Sequence, residues 1–389
     1  MIVQNIISQS NKEVVYSEQP PITWEAATTG NYPSLTGLNQ QYKTIFSPTT
    51  SGVQTYNFHV FTIEFKGYVH IMFSTSNANE ENPGQYVRYT KSNDEFVTQE
   101  TIQVLFESQD DVNKTFEESG RVCVPCGFVV VNNELYGVTD VNDRGAGGNP
   151  RDRFGVGVLA RKINENGTFG AVEWIENIDA TLTAPTPISG YPSYSFNSSL
   201  RTEIKNYYKN NVESRPDWYY SVPSTDSIFS RVDPFEDGRL VEPRVTQIKS
   251  GQYLKLWRFG QGATTKYKVA QSSSNGFEWS APYETQIPDS PSRTSVNRLN
   301  DGSTCVVGNN KSGRVGLFIA LSDDGLTYSS DNVYNVDYSN TAPVYAGENK
   351  AAGAQYPYAI HLKNNRILVA YSISKEDIKI SIFDKPNLI

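Results

Sequence analysis

The residues best equipped for metal or redox chemistry are few in this chain, and poorly spaced for it. There are three cysteines and three histidines. Cys123 and Cys126 form a CxxC within RVCVPCGF, but the run is strand-like, and no second cysteine pair or nearby histidine completes a ligand set. Buried thiols are the expectation. His59, His70 and His361 are too far apart in sequence for metal-ligand spacing, so neither a metal nor a cofactor is expected. DRGAGGNPRDR (143–153) has the glycines of a phosphate cradle, yet no helix N-terminus follows to receive a phosphate. It is read as a flexible rim loop. What remains is a stock of Glu, Asp, Arg and 24 Tyr, whose chemistry depends on where the fold puts them.

Composition narrows the fold and the partners. Aromatics make up 12% of the 389 residues, beside 28 Gly and 20 Pro, the profile of short twisted strands joined by turns. Only SLRTEIKNYYKNN (199–211) has fair helical periodicity. The expected class is all-β. A net charge of −8 argues against a nucleic-acid surface. No 18-residue apolar run exists to span a membrane. MIVQNIISQSNKE lacks the basic and apolar regions of a signal peptide. Cytoplasmic residence, a leader trimmed away and export by another route, for instance on a virion, stay open.

The elements that must position the polar groups are legible as a repeat. A polar turn between two strand-like runs recurs in FTIEFKGYVHIMFS (61–74), FVVVNNELYGVTD (128–140), VTQIKSGQYLKLWR (245–258), SVNRLNDGSTCVVGNN (295–310) and YAIHLKNNRILVAYS (358–372). The turns are 66, 118, 51 and 63 residues apart, the long interval implying one worn copy and a period of about 60. A second turn alternates with the first, in YTKSNDEFVTQE (89–100), ARKINENGTFGAVEW (160–174), VAQSSSNGFEWS (269–280) and IALSDDGLTYSS (319–330). The order strand, tight turn, strand, long loop, strand, Ser/Asp/Gly turn, strand describes a four-stranded antiparallel blade. Six blades over 51–389 are expected, after an N-terminal arm over 1–50. The Pro- and Tyr-rich 180–232 is read as an irregular blade or insertion, and KEVVYS (12–17) as a strand closing the ring. Short turns then occupy one face, and the long loops rich in Arg, Asp, Glu, Asn and Tyr form the working face.

The second turn resembles the Asp-box of sialidases, S-x-D-x-G-x-T-W. SDDGLTY (322–328) is a shortened version, SNGFEW (274–279) lacks the Asp, and SNDEF (92–96) lacks the Gly. Over about 50–385 the chain resembles a six-bladed, sialidase-like β-propeller with BNR repeats. That resemblance implies a site. LVEPRVTQIKSGQYLKLWR (240–258) nominates Glu242 and Arg258, GRVGLFIALSDDG (313–325) nominates Arg314, and GAQYPYAI (353–360) nominates Tyr356, with Tyr358 as an alternative. SNANEENPGQ (76–85) supplies Glu80 or Glu81 where the family has its acid, and PDSPSRTSVNRL adds Asp289 and Arg293. In the family a Tyr–Glu pair replaces the usual two carboxylates, because a carboxylate nucleophile would be repelled by an anionic sugar. A second acid protonates the leaving oxygen, and arginines grip the substrate carboxylate.

One position departs from the pattern. Where the family carries an Arg opening the first blade, this chain reads Phe58-His59-Val60-Phe61. Histidine clamps a carboxylate less well, which leaves a uronic acid or a neutral sugar open beside sialic acid. The expected activity is an exo-acting glycoside hydrolase on an acidic or modified terminal sugar, with a glycan as partner and an extracellular, periplasmic or virion-associated setting. A non-catalytic glycan-binding propeller, such as an adhesin, is the second reading. A polysaccharide lyase using His59 and a tyrosine is the third.

Overall fold

Each of the five repeated turns joins the first and second strands of a four-stranded sheet. The computed structural model describes residues 22–28, 32–79, 84–108, 120–144, 153–177, 197–215, 240–259, 267–290, 292–310 and 313–389. Sheet I comprises Tyr56–Phe65, Tyr68–Ser76, Tyr86–Ser92 and Gln103–Phe106. Sheet II comprises Gly120–Val131, Glu134–Arg144, Arg153–Ile163 and Phe169–Asn177. Sheet III comprises Leu240–Gln247, Tyr253–Phe259, Tyr267–Ser273 and Tyr283–Pro288, and sheet IV comprises Ser295–Arg298, Thr304–Asn309, Leu317–Ser322 and Val333–Asp337. All four are antiparallel and follow chain order, as the alternation of turns implies. Local chemistry sets these hairpins: Asn132 and Asn133 both take left-handed backbone, φ 51° and 60°, which matches the twist of the flanking strands.

Sheet V differs in its last strand. Ala354–His361, Arg366–Ile373 and Asp377–Asp384 are completed by Gln41–Phe46, with Gln41 opposite Ile382 and Phe46 opposite Ile378. The closing strand expected at 12–17 is therefore supplied by 41–46; residues 12–17 lie outside the described residues. Both segments are short runs with β-branched and aromatic residues, Val14, Val15 and Tyr16 in one and Tyr42, Thr44 and Ile45 in the other, and only pairing with a distant partner separates them.

Apolar faces of successive sheets pack together. Phe61, Met72 and Leu105 of sheet I meet Leu135, Leu159 and Trp174 of sheet II. Ile45, Ile378 and Ile380 of sheet V meet Val60, Ile71 and Phe73 of sheet I. Sheets III and IV join through Leu254, Leu256, Val306 and Phe318, and sheets IV and V through Val307, Ile319, Val369 and Phe383. Between sheets II and III lies helix α1, Ser198–Asn210, capped by Asn197 Oδ1, which accepts from the amides of Ser199 and Leu200. Its Leu200, Ile204 and Tyr208 cover Val129, Val138 and Ile175 of sheet II. The following 3-10 turn reaches sheet III, where Glu213 accepts from Thr246 Oγ1 at 3.1 Å. The segment expected as an irregular blade or insertion thus carries the helix Ser198–Asn210 and the 3-10 turn Val212–Ser214, and the parts of 180–232 outside 197–215 lie outside the described residues.

The Ser/Asp turns share one wiring. Ser322 Oγ accepts from Gly325 N at 2.8 Å, while Asp324 Oδ1 accepts from Leu326 N and Thr327 N at 2.7 and 2.8 Å. In sheet III the serine is Ser273 rather than Ser274, and Asn275 does the work of the aspartate, accepting from Phe277 N and Glu278 N. In sheet I Ser92 and Asp94 do the same, and Phe96 takes the left-handed place of the glycine at φ 62°. Gly325 has a stricter need: a Cβ there would lie 2.4 Å from Ile248 Cγ2.

Two stability predictions follow from this wiring and closure. Burial pushes the Asp324 pKa up, but hydrogen bonds from the Leu326 and Thr327 amides outweigh it and hold the group below the ordinary carboxylate value. A depressed folded pKa contributes stability above the unfolded value of about 3.9 and loses it as pH falls. Asp324→Ala is expected to lower the unfolding free energy by about 1 kcal/mol at pH 7 and by less at pH 3, read by urea unfolding. An equal loss at both pH values would count against that account. Ile45→Ala, at a site 3% exposed, is expected to cost about 3 kcal/mol if Gln41–Phe46 closes sheet V in solution; unfolding at the unaltered denaturant midpoint would refute the closure.

Candidate active site

The first strands of neighbouring sheets lie against one another: V against I, I against II, III against IV and IV against V. In sheets I, III and V these inner strands carry a bulge at the same place. Pairing shifts between Phe58 and Phe61, between Val241 and Arg244, and between Gln355 and Tyr358. The bulged residues are His59, Glu242 and Tyr356, with φ of 52°, 49° and 56°. None is glycine, and left-handed backbone costs such residues about 1–2 kcal/mol each. A bulge re-aims a side chain, and all three are turned to one spot.

The contacts there are specific. Arg258, opposite Val241 on the second strand of sheet III, donates from Nη1 to Glu242 Oε2 at 2.6 Å and to Tyr356 Oη at 3.3 Å. Arg258 and Glu242 side chains are each 15% exposed, and Tyr356 is 3% exposed. Burial alone would push the Arg258 pKa down, but Glu242 and Tyr356 outweigh it and hold the guanidinium above its ordinary range. The His59 ring stands edge-on to Tyr356 with centroids 5.3 Å apart, and Phe58 does likewise at 5.4 Å. Arg314, just before the third strand of sheet IV, lies 5.7 Å from the Tyr356 ring and donates to Gln355 Oε1. Gly353 makes that approach feasible, since a Cβ there would sit 2.3 Å from the Arg314 carbonyl oxygen.

The structure thus brings together Glu242, Arg258, Tyr356, His59 and Arg314. Three other nominated residues meet other groups, and Asp289 also helps to hold the Arg258 pKa up. Tyr358, two residues beyond the bulge, meets Phe61 at 5.1 Å and the Arg244 guanidinium at 4.9 Å. Arg293 is fully buried with its guanidinium 4.6 Å from the Phe61 ring. These residues form a cation–aromatic layer. Asp289 is buried in an ion pair with Lys268 Nζ at 2.6 Å, and that ammonium also donates to the Ser292 carbonyl. Burial lowers the Lys268 pKa, and Asp289 only partly opposes it. Tyr358, Arg293 and Asp289 therefore have packing and pairing partners of their own. Glu80 and Glu81 lie outside the described residues; Asn79, just before them, accepts through Oδ1 from the Glu348 amide.

Sequence reasoning missed Lys375. It sits in the short turn between the second and third strands of sheet V, at φ 58°, and is 1% exposed. Its Nζ donates to Tyr56 Oη at 2.9 Å and lies 5.1 Å from the Tyr356 ring centroid. The available signal was its place on the working face, where only the longer loops drew notice. His70 is buried beside Tyr89 Oη, and burial pulls its pKa down to about 4. His361 accepts the Asn300 amide at a hairpin turn. Cys123, Cys126 and Cys305 are buried, and among the described residues no group of three His, Cys, Asp or Glu could hold a metal ion.

Residues 190–369 match the family model of a BNR repeat-like domain. No curated protein matches the chain. Among solved structures, one described as a sialidase superposes with a TM-score of 0.69 at 18% identity, covering 94% of this chain and 34% of its own. The chain therefore spans about a third of that protein's length. The NanB sialidase from Streptococcus pneumoniae superposes at 0.56 with 10% identity, over 88% of this chain and 70% of its own. An intramolecular trans-sialidase from Ruminococcus gnavus, in complex with oseltamivir carboxylate, gives 0.53 and 13% over 90% and 98%. Repeat and fold agree: residues 190–369 match a BNR repeat-like domain, and the fold of the chain is similar to that of sialidases.

Proposed function

We propose that the protein is an exo-acting glycoside hydrolase of sialidase-like type that cleaves an acidic or modified terminal sugar from a glycan. The observation carrying this reading is the meeting of three strained bulge residues: Glu242 and Tyr356 share the Arg258 guanidinium, and the His59 ring stands edge-on to Tyr356. Strain kept at three equivalent positions marks function better than packing, which would not require it. The scaffold is read as a six-bladed propeller over 51–389 preceded by an arm over 1–50, with the helix-bearing segment standing where the remaining blade belongs. A setting outside the cytoplasm or on a virion fits a glycan substrate.

The chemistry is assigned as follows. Tyr356 Oη attacks the anomeric carbon while its proton passes to the Glu242 carboxylate. The glycosidic C–O bond breaks, and the leaving oxygen takes a proton from Glu80 or Glu81. Water then attacks the anomeric carbon, giving its proton to the Glu80 or Glu81 carboxylate as the bond to Tyr356 breaks, and Glu242 returns its proton to the phenolate, so that all three groups are restored. A phenol with a pKa near 10 needs such a base at neutral pH. Among the described residues the buried Arg258 Nε has no hydrogen-bond partner, so an anionic group entering beside it would satisfy a donor that is costly to leave alone. Arg314 and His59 supply further substrate contacts.

One observation favours a second reading. The Glu242 carboxylate is held by Arg258, an arrangement equally suited to a glycan-binding propeller without turnover. The edge-on His59–Tyr356 pair keeps a lyase as the third. Assay against aryl glycosides of sialic and uronic acids, with glycan-array binding in parallel, separates them. Under the hydrolase reading Glu242→Gln and Tyr356→Phe each lower kcat by about 10³-fold or more, with unfolding midpoints close to the parent. Undiminished hydrolysis in both variants removes the assignment. Binding without hydrolysis, insensitive to Glu242→Gln, establishes the binder, and an unsaturated product absorbing in the ultraviolet establishes elimination.

A further inference from the structure

Two buried cations stand opposite each other on sheet III, and one of them is the arginine of the proposed site. Trp257 pairs with Val269 across the second and third strands, so the next residues in the same register, Arg258 and Lys268, are cross-strand neighbours. Like charges set opposite one another in a sheet repel. Each is drawn to a different side. Glu242 and Tyr356 accept from the Arg258 guanidinium, from the first strand and from sheet V. Asp289, just past the fourth strand, accepts from the Lys268 ammonium at 2.6 Å, and the Ser292 carbonyl accepts from it at 2.9 Å. The Lys268 and Asp289 side chains are 2% and 1% exposed. The two pairs act on each other: burial lowers the Lys268 pKa and Asp289 opposes it, while Arg258 pushes it down and Glu242 pushes it up. An apolar pair of similar volume could fill the place of Lys268 and Asp289 without loss of stability, so packing alone does not account for their charges.

We infer that Lys268 is a positioning residue for Arg258: pinned to Asp289 and the Ser292 carbonyl, its ammonium keeps the guanidinium turned toward Glu242 and Tyr356. This deepens the hydrolase reading and rests on it. That reading needs Arg258 at the phenol, where Nη1 lies 3.3 Å from Tyr356 Oη. Asp289 is a second buried carboxylate within electrostatic reach of the same guanidinium: burial lowers the Arg258 pKa, and Asp289 joins Glu242 and Tyr356 in raising it. Lys268 engages Asp289 Oδ1 and repels the guanidinium from it. Across the sheet the charges run carboxylate, guanidinium, ammonium, carboxylate, and this order decides which carboxylate Arg258 serves.

Lys268→Met removes the ammonium and opens Asp289 Oδ1, whatever else that carboxylate accepts. Lys268→Met/Asp289→Leu removes the rival carboxylate as well. Crystal structures of both variants read the position of Arg258. In the single variant Nη1 is expected to leave Tyr356 Oη as the guanidinium turns toward Asp289; in the double variant it returns to Glu242 and Tyr356. With an aryl glycoside that the parent cleaves, kcat/KM falls about tenfold in the single variant and recovers to within about threefold of the parent in the double. Should Lys268→Met not fold, Lys268→Gln, which removes the charge and keeps a donor in its place, carries the same measurements. An unmoved Arg258 in the single variant, or a lost activity that the double variant does not recover, overturns the inference. A guanidinium that moves in a protein whose parent turns nothing over keeps Lys268 as the residue that positions Arg258 and removes the hydrolase reading alone.

Discussion

Left-handed backbone inside a β-strand is the constraint from which the site is built. At His59, Glu242 and Tyr356 the inner strand gains a residue, the ladder slips, and a side chain that regular pleating would send into an inter-sheet face is turned toward its counterparts. The strand pairs normally on both sides of each bulge, which confines the strain to one residue and its successor. Two of those successors are prolines, Pro243 and Pro357, whose fixed φ limits the ways the chain could relax. The scaffold thus supplies rigidity, and the bulges supply direction.

Around that centre buried charges are answered by opposite charges and carbonyls. Lys268 meets Asp289 and the Ser292 carbonyl; Lys350 meets Glu376, the Thr55 carbonyl and the Tyr345 carbonyl. Glu376 in turn accepts the amides of Val344 and Tyr345. This second network ties the loop entering sheet V to its own turn and to the start of sheet I, on either side of Lys375. Removing one member of such a pair costs about 3–5 kcal/mol, because the other is left charged in a dry place. The loops of the working face are therefore braced by electrostatics as well as by strand pairing.

What the sequence made legible was local. Turns such as Asn132-Asn133 and the Ser322–Asp324 box depend on a few adjacent residues, so the hairpins and their alternation could be read directly. The site residues Glu242, Arg258, Arg314 and Tyr356 could be nominated by resemblance, but their meeting depends on bulges, and a bulge is a property of two strands in register. The closing strand is expected at 12–17 because KEVVYS is strand-like, as 41–46 is; what distinguishes them is the partner, residues 377–384, at the far end of the chain. Asn275 standing for an aspartate and Phe96 for a glycine were hidden because backbone geometry, and not residue type, defines the turn. Lys375 was hidden because its neighbours Tyr56, Phe58 and Tyr356 come from two different sheets.

The pairing of Phe46 with Ile378 sets an order of events during synthesis. Sheets I to IV can assemble as they leave the ribosome, but the strand Gln41–Phe46 has no partner until Asp377–Asp384 has been made. Until then the two inner strands that hold His59 and Tyr356 cannot be locked side by side, and their apolar faces stand open. The cluster around Tyr356 is complete only when the last sheet is finished, so a truncated nascent product exposes apolar surface of the kind chaperones cover.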